Sequence, residues 1–582
     1  MSLFAGIINR HGRPLPDSVC SSLGQSISRN PVDKVISFRY ANAYFAKIDI
    51  GVFGEPGFVE DEHGALSLLT GEPLLSVNSA PDSNRQEDLR TLHDQAQLNN
   101  WDAFKGADGT FCFIHYQPQT GSLTLVADKV GVRPLYFWMN DELVVFASTL
   151  RVLEECPLVP KKLDLRAVTE MVALDAPLSD RTPYAGVRLL KAGEIVEITN
   201  ETVSTRSYWR WDQIEISNDP EPVRLQTIHD EFQAAVARRI KGDKATAAYL
   251  SGGLDSRLCV AALIHDDVTV HSFNFARPET QDCLFGNDFA EKIGAIHQSL
   301  PKQSGDSVPD YSLLMAAALK TSNPNQEHPR LVWSGEGGSV LLGLVHLNES
   351  IIDSMRAGNT DRAIEEFLER EQTQIPAKLF RPQVLLNSGD LIKQGLREEL
   401  EALHATDAGR NFYLFLMLND QRRKLALHFE NLDLHRLEFQ LPFFDGAFLE
   451  AVIATPLDWC LRHIFYVKWL SLFPPAVTGV PWQAYPGHEP CPLPIPQDLA
   501  YQWAEDHQAN ESVARKRRVL RNASEVLHSR HFPDQILSKR NLRLAAWIHS
   551  TGWRDYQYAL EAAETYYKYA KNCGGNFSLS LS

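Results

Sequence analysis

The chain predicts an α/β protein in two parts: a sheet-rich first third, then a longer stretch of helices alternating with strands of a parallel sheet. Two observations carry this. The first is a change of pattern. Short β-type runs at 43–48, 65–69, 110–116, 122–127, 143–147 and 194–198 are divided by turns such as Gly106-Ala107-Asp108-Gly109 and Pro118-Gln119-Thr120-Gly121. After about 223 they give way to helix–strand alternation. The second is the order strand, Ser-Gly-Gly turn, helix across 245–264. This is a βα unit, and such units place ligands at the carboxyl ends of their strands.

The elements run in order along the chain. Asn218-Asp219-Pro220-Glu221-Pro222 reads as a linker between a unit at 1–210 and one at 223–582. A helix near 223–240 leads to a strand at 245–249 and a helix at 256–265. A strand at 268–275 and a helix at 284–294 repeat the unit, and a strand at 331–333 runs into Ser334-Gly335-Glu336-Gly337-Gly338. Helices at 359–371 and 411–430 come next. The proline-rich stretch 474–498 reads as ordered loop, 499–571 as helical again, and the tail 574–578 as loose.

Bulk properties set limits. A chain of 582 residues exceeds one core, so roughly two to four domains are expected. Hydrophobic content of 44% and charged content of 22% are those of a soluble globular protein. A net charge of −16 argues against nonspecific nucleic-acid binding. No signal-type start or membrane-length apolar run is read, so the expectation is no membrane and a cytoplasmic home. The eight cysteines are scattered and suggest neither zinc nor a disulfide scaffold.

The run Tyr249-Leu250-Ser251-Gly252-Gly253-Leu254-Asp255-Ser256 is suited to a pyrophosphate. Glycines let backbone approach an anion, and N–H groups and the adjoining helix N-terminus attract it. Ser251 and Ser256 offer hydroxyls, and Asp255 is a candidate Mg²⁺ ligand. The Gly-Lys-Ser/Thr ending of the Walker loop is missing. The run looks like the pyrophosphatase loop of enzymes that split ATP between the α- and β-phosphates.

Six segments in order resemble the asparagine synthetase superfamily, which includes β-lactam synthetases and lasso-peptide cyclases. They are Phe104–Phe111, Ala127–Tyr136, Phe146-Ala147-Ser148 with Thr182–Val187, Ser251–Ser256, Ser334–Gly337 and Leu437–Asp445. The resemblance covers the chain to about residue 475. It implies a class II amidotransferase-like α/β/β/α sandwich and a pyrophosphatase-loop domain, akin to adenine nucleotide α-hydrolases, with a helical extension. It further implies ATP and Mg²⁺ as cofactors, and a small-molecule or peptide carboxylate as substrate. A precursor peptide or partner enzyme is the kind of partner it suggests.

On that resemblance Leu250, Ser251, Gly252, Gly253, Asp255, Ser256, Ser272, Phe273, Gly335 and Glu336 are expected to bind ATP, and Asp255 and Glu336 the metal. Glu438 is the expected general base, with Tyr413 as its partner.

Three departures matter. Position 2, where the family's glutaminase has its cysteine nucleophile, is Ser2, and the glutamine-binding Asn-Gly-Glu is Thr70-Gly71-Glu72. A serine hydroxyl is a poorer nucleophile than a thiol at neutral pH, so no glutamine hydrolysis is expected. Ser339 stands where the family has a metal-holding Asp, with Asp282 as another nearby acid. The loop 479–490 lacks the family's lysine; Lys468 and His488 are the expected stand-ins. The basic run Arg515–Arg518 reads as solvated helix surface.

Three functions are compatible with these residues. The leading one is an ATP-dependent amide-forming synthetase, of the lasso-type macrolactam cyclase kind in its narrower form. The others are an asparagine synthetase using free ammonia and a catalytically impaired binding protein.

Overall fold

The computed structural model describes residues 2–54, 56–75, 84–300, 311–322, 330–374, 376–496, 499, 501, 509–574 and 577–578. Two six-stranded antiparallel sheets build the first part. One runs Val187–Leu189, Tyr136–Met139, Leu143–Ala147, Ser2–Asn9, Ala43–Asp49, Ile36–Arg39. The other runs Val203–Ser207, Glu194–Ile198, Ser122–Ala127, Phe111–Gln117, Leu66–Gly71, Phe58–Glu60. The expected runs at 43–48, 65–69, 110–116, 122–127, 143–147 and 194–198 all lie on these strands to within a residue.

These strands are apolar on both faces because both faces are covered. Phe4, Phe45, Leu68, Ile114, Leu125 and Phe146 fill the layer between the sheets. Leu89 and Leu92 of the helix Arg85–Gln97 pack on Leu69, Phe111 and Val126 outside one sheet. Leu23 and Val152 of the helices Asp17–Ser26 and Leu150–Glu155 pack outside the other. The result is the α/β/β/α order of layers.

The helix Glu221–Ile240 opens the second part, with Pro220 as its N-cap residue and Arg238 and Arg239 complementing the dipole in its last turn. The expected linker therefore ends two residues early, since Glu221 and Pro222 already form the first turn. Five parallel strands come next in the order Ile296–Ser299, Thr269–Asn274, Ala245–Tyr249, Leu331–Trp333, Glu438–Gln440. The chain builds outward from Ala245–Tyr249 in one direction, then reverses to add the last two strands. The switch point falls between Ala245–Tyr249 and Leu331–Trp333, where a doubly wound sheet opens a crevice.

Helices complete the fold. Ala509–His528, Lys539–Thr551 and Gln557–Asn572 pack as a group, and Tyr566 shares a 2.7 Å hydrogen bond with Thr169 of the first part. The tail departs from expectation: Phe577–Ser578 pairs in parallel with Leu163–Asp164. All eight cysteines are unbridged. Among the described residues, no helix is long and apolar enough to cross a membrane.

The two parts meet through charged side chains. Arg133 pairs with Glu438, both buried. Arg238 and Arg239 hold Asp445, which also caps the helix Gly446–Ile453 through the Phe448 N–H. Lys129 reaches Asp108 and Glu450.

Candidate active site

A cleft of about 1080 Å³ opens at the switch point. The loops after Ala245–Tyr249 and Leu331–Trp333 form its floor. Leu250, Ser251, Gly253, Asp255, Ser256, Phe273, Gly335 and Glu336 all line it, so eight of the ten expected nucleotide contacts come together.

Gly252 and Ser272 do not. An added Cβ on Gly252 would sit 2.6 Å from the Asp282 Cα. That glycine serves helix–loop packing, and its N–H donates to Asp282 Oδ1 at 2.8 Å. Ser272 lies in a strand, where alternate side chains face opposite ways. Its hydroxyl turns from the cleft to His297 Nδ1 at 2.8 Å.

The loop's amides are also engaged differently from expectation. The Ser251 N–H donates to Ser256 Oγ and the Gly253 N–H to Ser251 Oγ, at 2.9 and 3.2 Å. The two hydroxyls are themselves 2.9 Å apart. What remains for an anion is this rotatable hydroxyl pair and the N-terminus of the helix Asp255–His265. Gly335 packs on that terminus so closely that a Cβ would lie 2.3 Å from the Ser256 nitrogen.

Asp255 is less available to a metal than expected. Its Oδ2 accepts the Ser339 N–H at 2.9 Å; its Oδ1 accepts the Ser339 hydroxyl at 2.8 Å and the Tyr466 hydroxyl at 2.7 Å. Burial raises its carboxyl pKa, against these hydrogen bonds. Ser339 and Tyr466 thus hold Asp255 in a hydrogen-bonded clamp. Glu336 is exposed along the cleft. Enclosure by the cleft walls and then the Asp255 charge raise its pKa, and Lys424 opposes them. Among the described residues, no cluster of three His, Cys, Asp or Glu side chains is arranged to hold a metal.

The three expected catalytic side chains are not brought to the cleft. Glu438 lies on the edge strand with its carboxyl against Arg133, beside a cavity of only about 10 Å³ between the two parts. Tyr413 is buried in its helix, its hydroxyl without a hydrogen-bond partner among the described residues. Lys468 is half-exposed and pairs with Glu221 at 2.6 Å. The loop 479–490 does reach the site: the Gln483 N–H donates to Gly252 O at 2.9 Å, and Trp482, Tyr485 and Glu489 line the cleft. His488 shares its Nδ1 with His463 Nδ1 at 2.9 Å.

Residues that sequence reasoning missed are Tyr466, Gln421, Lys424 and His428. The last three recur at helical spacing, the signal that they share one face.

Position 2 is closed. Ser2 is buried and donates to Leu69 O at 3.0 Å, the same oxygen that Lys47 Nζ meets at 3.0 Å. Glu72 is taken by Lys241 at 2.7 Å and Gln440 at 3.3 Å.

Comparison with known proteins agrees with this geometry. Residues 91–209 match the glutamine amidotransferase domain and residues 227–324 match asparagine synthase. A Mycobacterium bovis protein bearing the name of a glutamine-hydrolysing asparagine synthetase is 25% identical over 256 residues, 40% of this chain and 39% of that one. A Methanocaldococcus jannaschii protein with the same kind of name is 23% identical over 310 residues, 48% of this chain and 57% of that one. Asparagine synthetase 2 of Bacillus subtilis is 25% identical over 277 residues, 44% and 37% of the two chains. The chain thus spans about two fifths of the length of the first of these relatives. One match falls on the antiparallel sandwich and the other on the Ser-Gly-Gly loop and its flanking strands, so the chain belongs to the asparagine synthetase superfamily.

Proposed function

We propose that the chain is an ATP-dependent carbon–nitrogen ligase that adenylates a carboxylate and passes the acyl group to an amine. The observation that carries this is the hydroxyl pair Ser251–Ser256 beside a helix N-terminus at the sheet's switch point. In this reading 223–582 is the synthetase unit and 1–210 an amidotransferase-like unit that no longer hydrolyses glutamine.

Each residue of the cleft has its part. Ser251 and Ser256 turn their hydroxyls from each other to the departing pyrophosphate, and the first N–H groups of Asp255–His265 share its charge. Asp255, clamped by Ser339 and Tyr466, fixes the start of that helix. Phe273 and Leu250 wall the adenine side. The cleft aligns the carboxylate with the α-phosphorus, so positioning supplies much of the rate. Mg²⁺ arriving with ATP would meet Glu336, an acid exposed in the cleft beside the Ser251–Ser256 loop, and would neutralise phosphate charge.

The nitrogen comes from the acceptor amine itself. Ser2 supports this, as do the ion pairs Arg133–Glu438 and Lys241–Glu72 that fill the space between the two parts. The roomy cleft favours a peptide or modified amino acid, cyclised onto its own amine in the narrower form of the proposal, over free aspartate with ammonia. ATP–pyrophosphate exchange across candidate carboxylates tests this. Exchange with a peptide or modified amino acid, lost in Ser256→Ala, supports it; exchange with aspartate alone favours the ammonia-using synthetase; no ATP binding refutes both.

A further inference from the structure

Opposite the Ser251–Ser256 loop stands the helix Arg422–Glu430, entered through the π-helical turn Leu416–Gln421. A π turn inserts a residue and re-aims the side chains beyond it, and such bulges gather at functional sites. Past this turn, neighbouring residues serve opposite sides. Arg422 donates to Gly131 O and Leu190 O, and Arg423 to Ser179 O, all in the first part. Gln421, Lys424, Leu425 and His428 line the cleft.

Lys424 is the only lysine or arginine among the described residues that line this cleft; the other formal charges there are the acids Asp255, Asp282, Glu336 and Glu489. Its side chain is half-exposed and pairs with Asp420 at 2.7 Å on the same helical stretch. A carboxylate entering the cleft meets repulsion from those acids, and Lys424 is the one formal cation among the described lining residues to attract it away from the helix terminus that the phosphates need. One turn further on, His428 abuts the Phe439 ring. Phe439 lies parallel to Tyr249, centroids 6.0 Å apart and planes 10° apart. An anchoring cation therefore sits one helical turn from a flat apolar wall.

We infer that Lys424 anchors the substrate carboxylate, and that this helix face with Phe439 and Tyr249 is a subsite for a carboxylate carrying a flat or bulky apolar body. This rests on the ligase reading and adds to it the side of the cleft and the substrate class. Aspartate has no apolar body to set against these rings. The rival oxyanion for Lys424 is a phosphate of ATP.

The test is calorimetry on the full chain with α,β-methylene-ATP, 3-phenylpropanoate and L-aspartate. With the nucleotide analogue bound, 3-phenylpropanoate should bind more tightly than L-aspartate. Lys424→Met should weaken it about tenfold or more and Lys424→Arg should restore most of that, while affinity for the analogue stays within about threefold. Lys424 is half-exposed, so the variants should fold, and thermal melts check that. Analogue affinity falling in Lys424→Met with 3-phenylpropanoate unchanged would put Lys424 on the phosphates and overturn the inference. So would aspartate binding as tightly as 3-phenylpropanoate, or 3-phenylpropanoate failing to bind while the analogue binds. Failure of the analogue itself to bind the unmodified chain would instead overturn the ligase reading beneath.

Discussion

The Tyr466 hydroxyl donates to Asp255 Oδ1 at 2.7 Å, tying the helix Ile464–Trp469 to the first residue of the helix after the Ser-Gly-Gly turn. Tyr466→Phe removes one of three donors from a part-buried carboxylate at the cleft wall. It should cost about 1 kcal/mol of stability, the net worth of one hydrogen bond, because water in the cleft can meet the freed acceptor. Urea denaturation reads that loss, and nucleotide affinity should fall with it.

Arg133→Met leaves the buried Glu438 carboxylate without its cation. A loss of about 3–5 kcal/mol is expected. Adding Glu438→Gln should recover part of it, since the two effects are coupled. Denaturation midpoints of the two single variants and the double variant check this.

Gly335→Ala places a methyl carbon 2.3 Å from the Ser256 backbone nitrogen. Backbone cannot swing aside as a side chain can, so the helix start must shift. Stability should fall by about 1–3 kcal/mol, and nucleotide affinity at least about tenfold. Unchanged nucleotide binding would show that the terminus of Asp255–His265 takes no part in it.

Ser2→Cys supplies the thiol the family's glutaminase uses, yet it should not create glutaminase activity. Ser2 is buried with its hydroxyl on Leu69 O, and Glu72 is already held by Lys241 and Gln440. Release of ammonia from glutamine is the readout, and a clear rise would refute the closed-pocket argument.

Lys47 is fully buried, and burial pulls its ammonium down to about 7. The unfolded chain then holds more protons than the folded one between about pH 7 and the ordinary lysine value of 10.5. Folding stability therefore gains from Lys47 as pH rises through that window, by roughly 1.4 kcal/mol per unit crossed. Lys47→Met lacks this contribution. Its stability relative to the parent should be highest near pH 7 and decline toward pH 10 in urea titrations.

Much of this was legible in the residues. Strands such as Ala245–Tyr249 and Leu331–Trp333 announce themselves because both faces are buried and turn glycines bound them. The loops Ser251–Ser256 and Ser334–Gly337 are consecutive, so their motif fixes their place on the sheet. Ser272, expected to offer its backbone, turns its hydroxyl to His297, a direction the residue types of a strand do not mark. Glu438, Tyr413 and Lys468 lie away from the cleft for a different reason. A side chain's direction is set by what packs on it, and Arg133 and Glu221 claim two of them from far away in sequence. Lys424 stayed hidden because the spacing it shares with Gln421 and His428 marks a common helix face but not the cavity that face turns toward, and the π turn ahead of it re-aims that face.

The adjacency of Arg422 and Arg423 to Lys424 ties the shape of the cleft wall to the amidotransferase-like first part. Those guanidiniums end on carbonyl oxygens that only the first part supplies. Cut that part away, and two positive charges lose their acceptors on the very helix that forms the cleft wall. The first part then acts as a mould for the cleft wall, held to it by solvation chemistry.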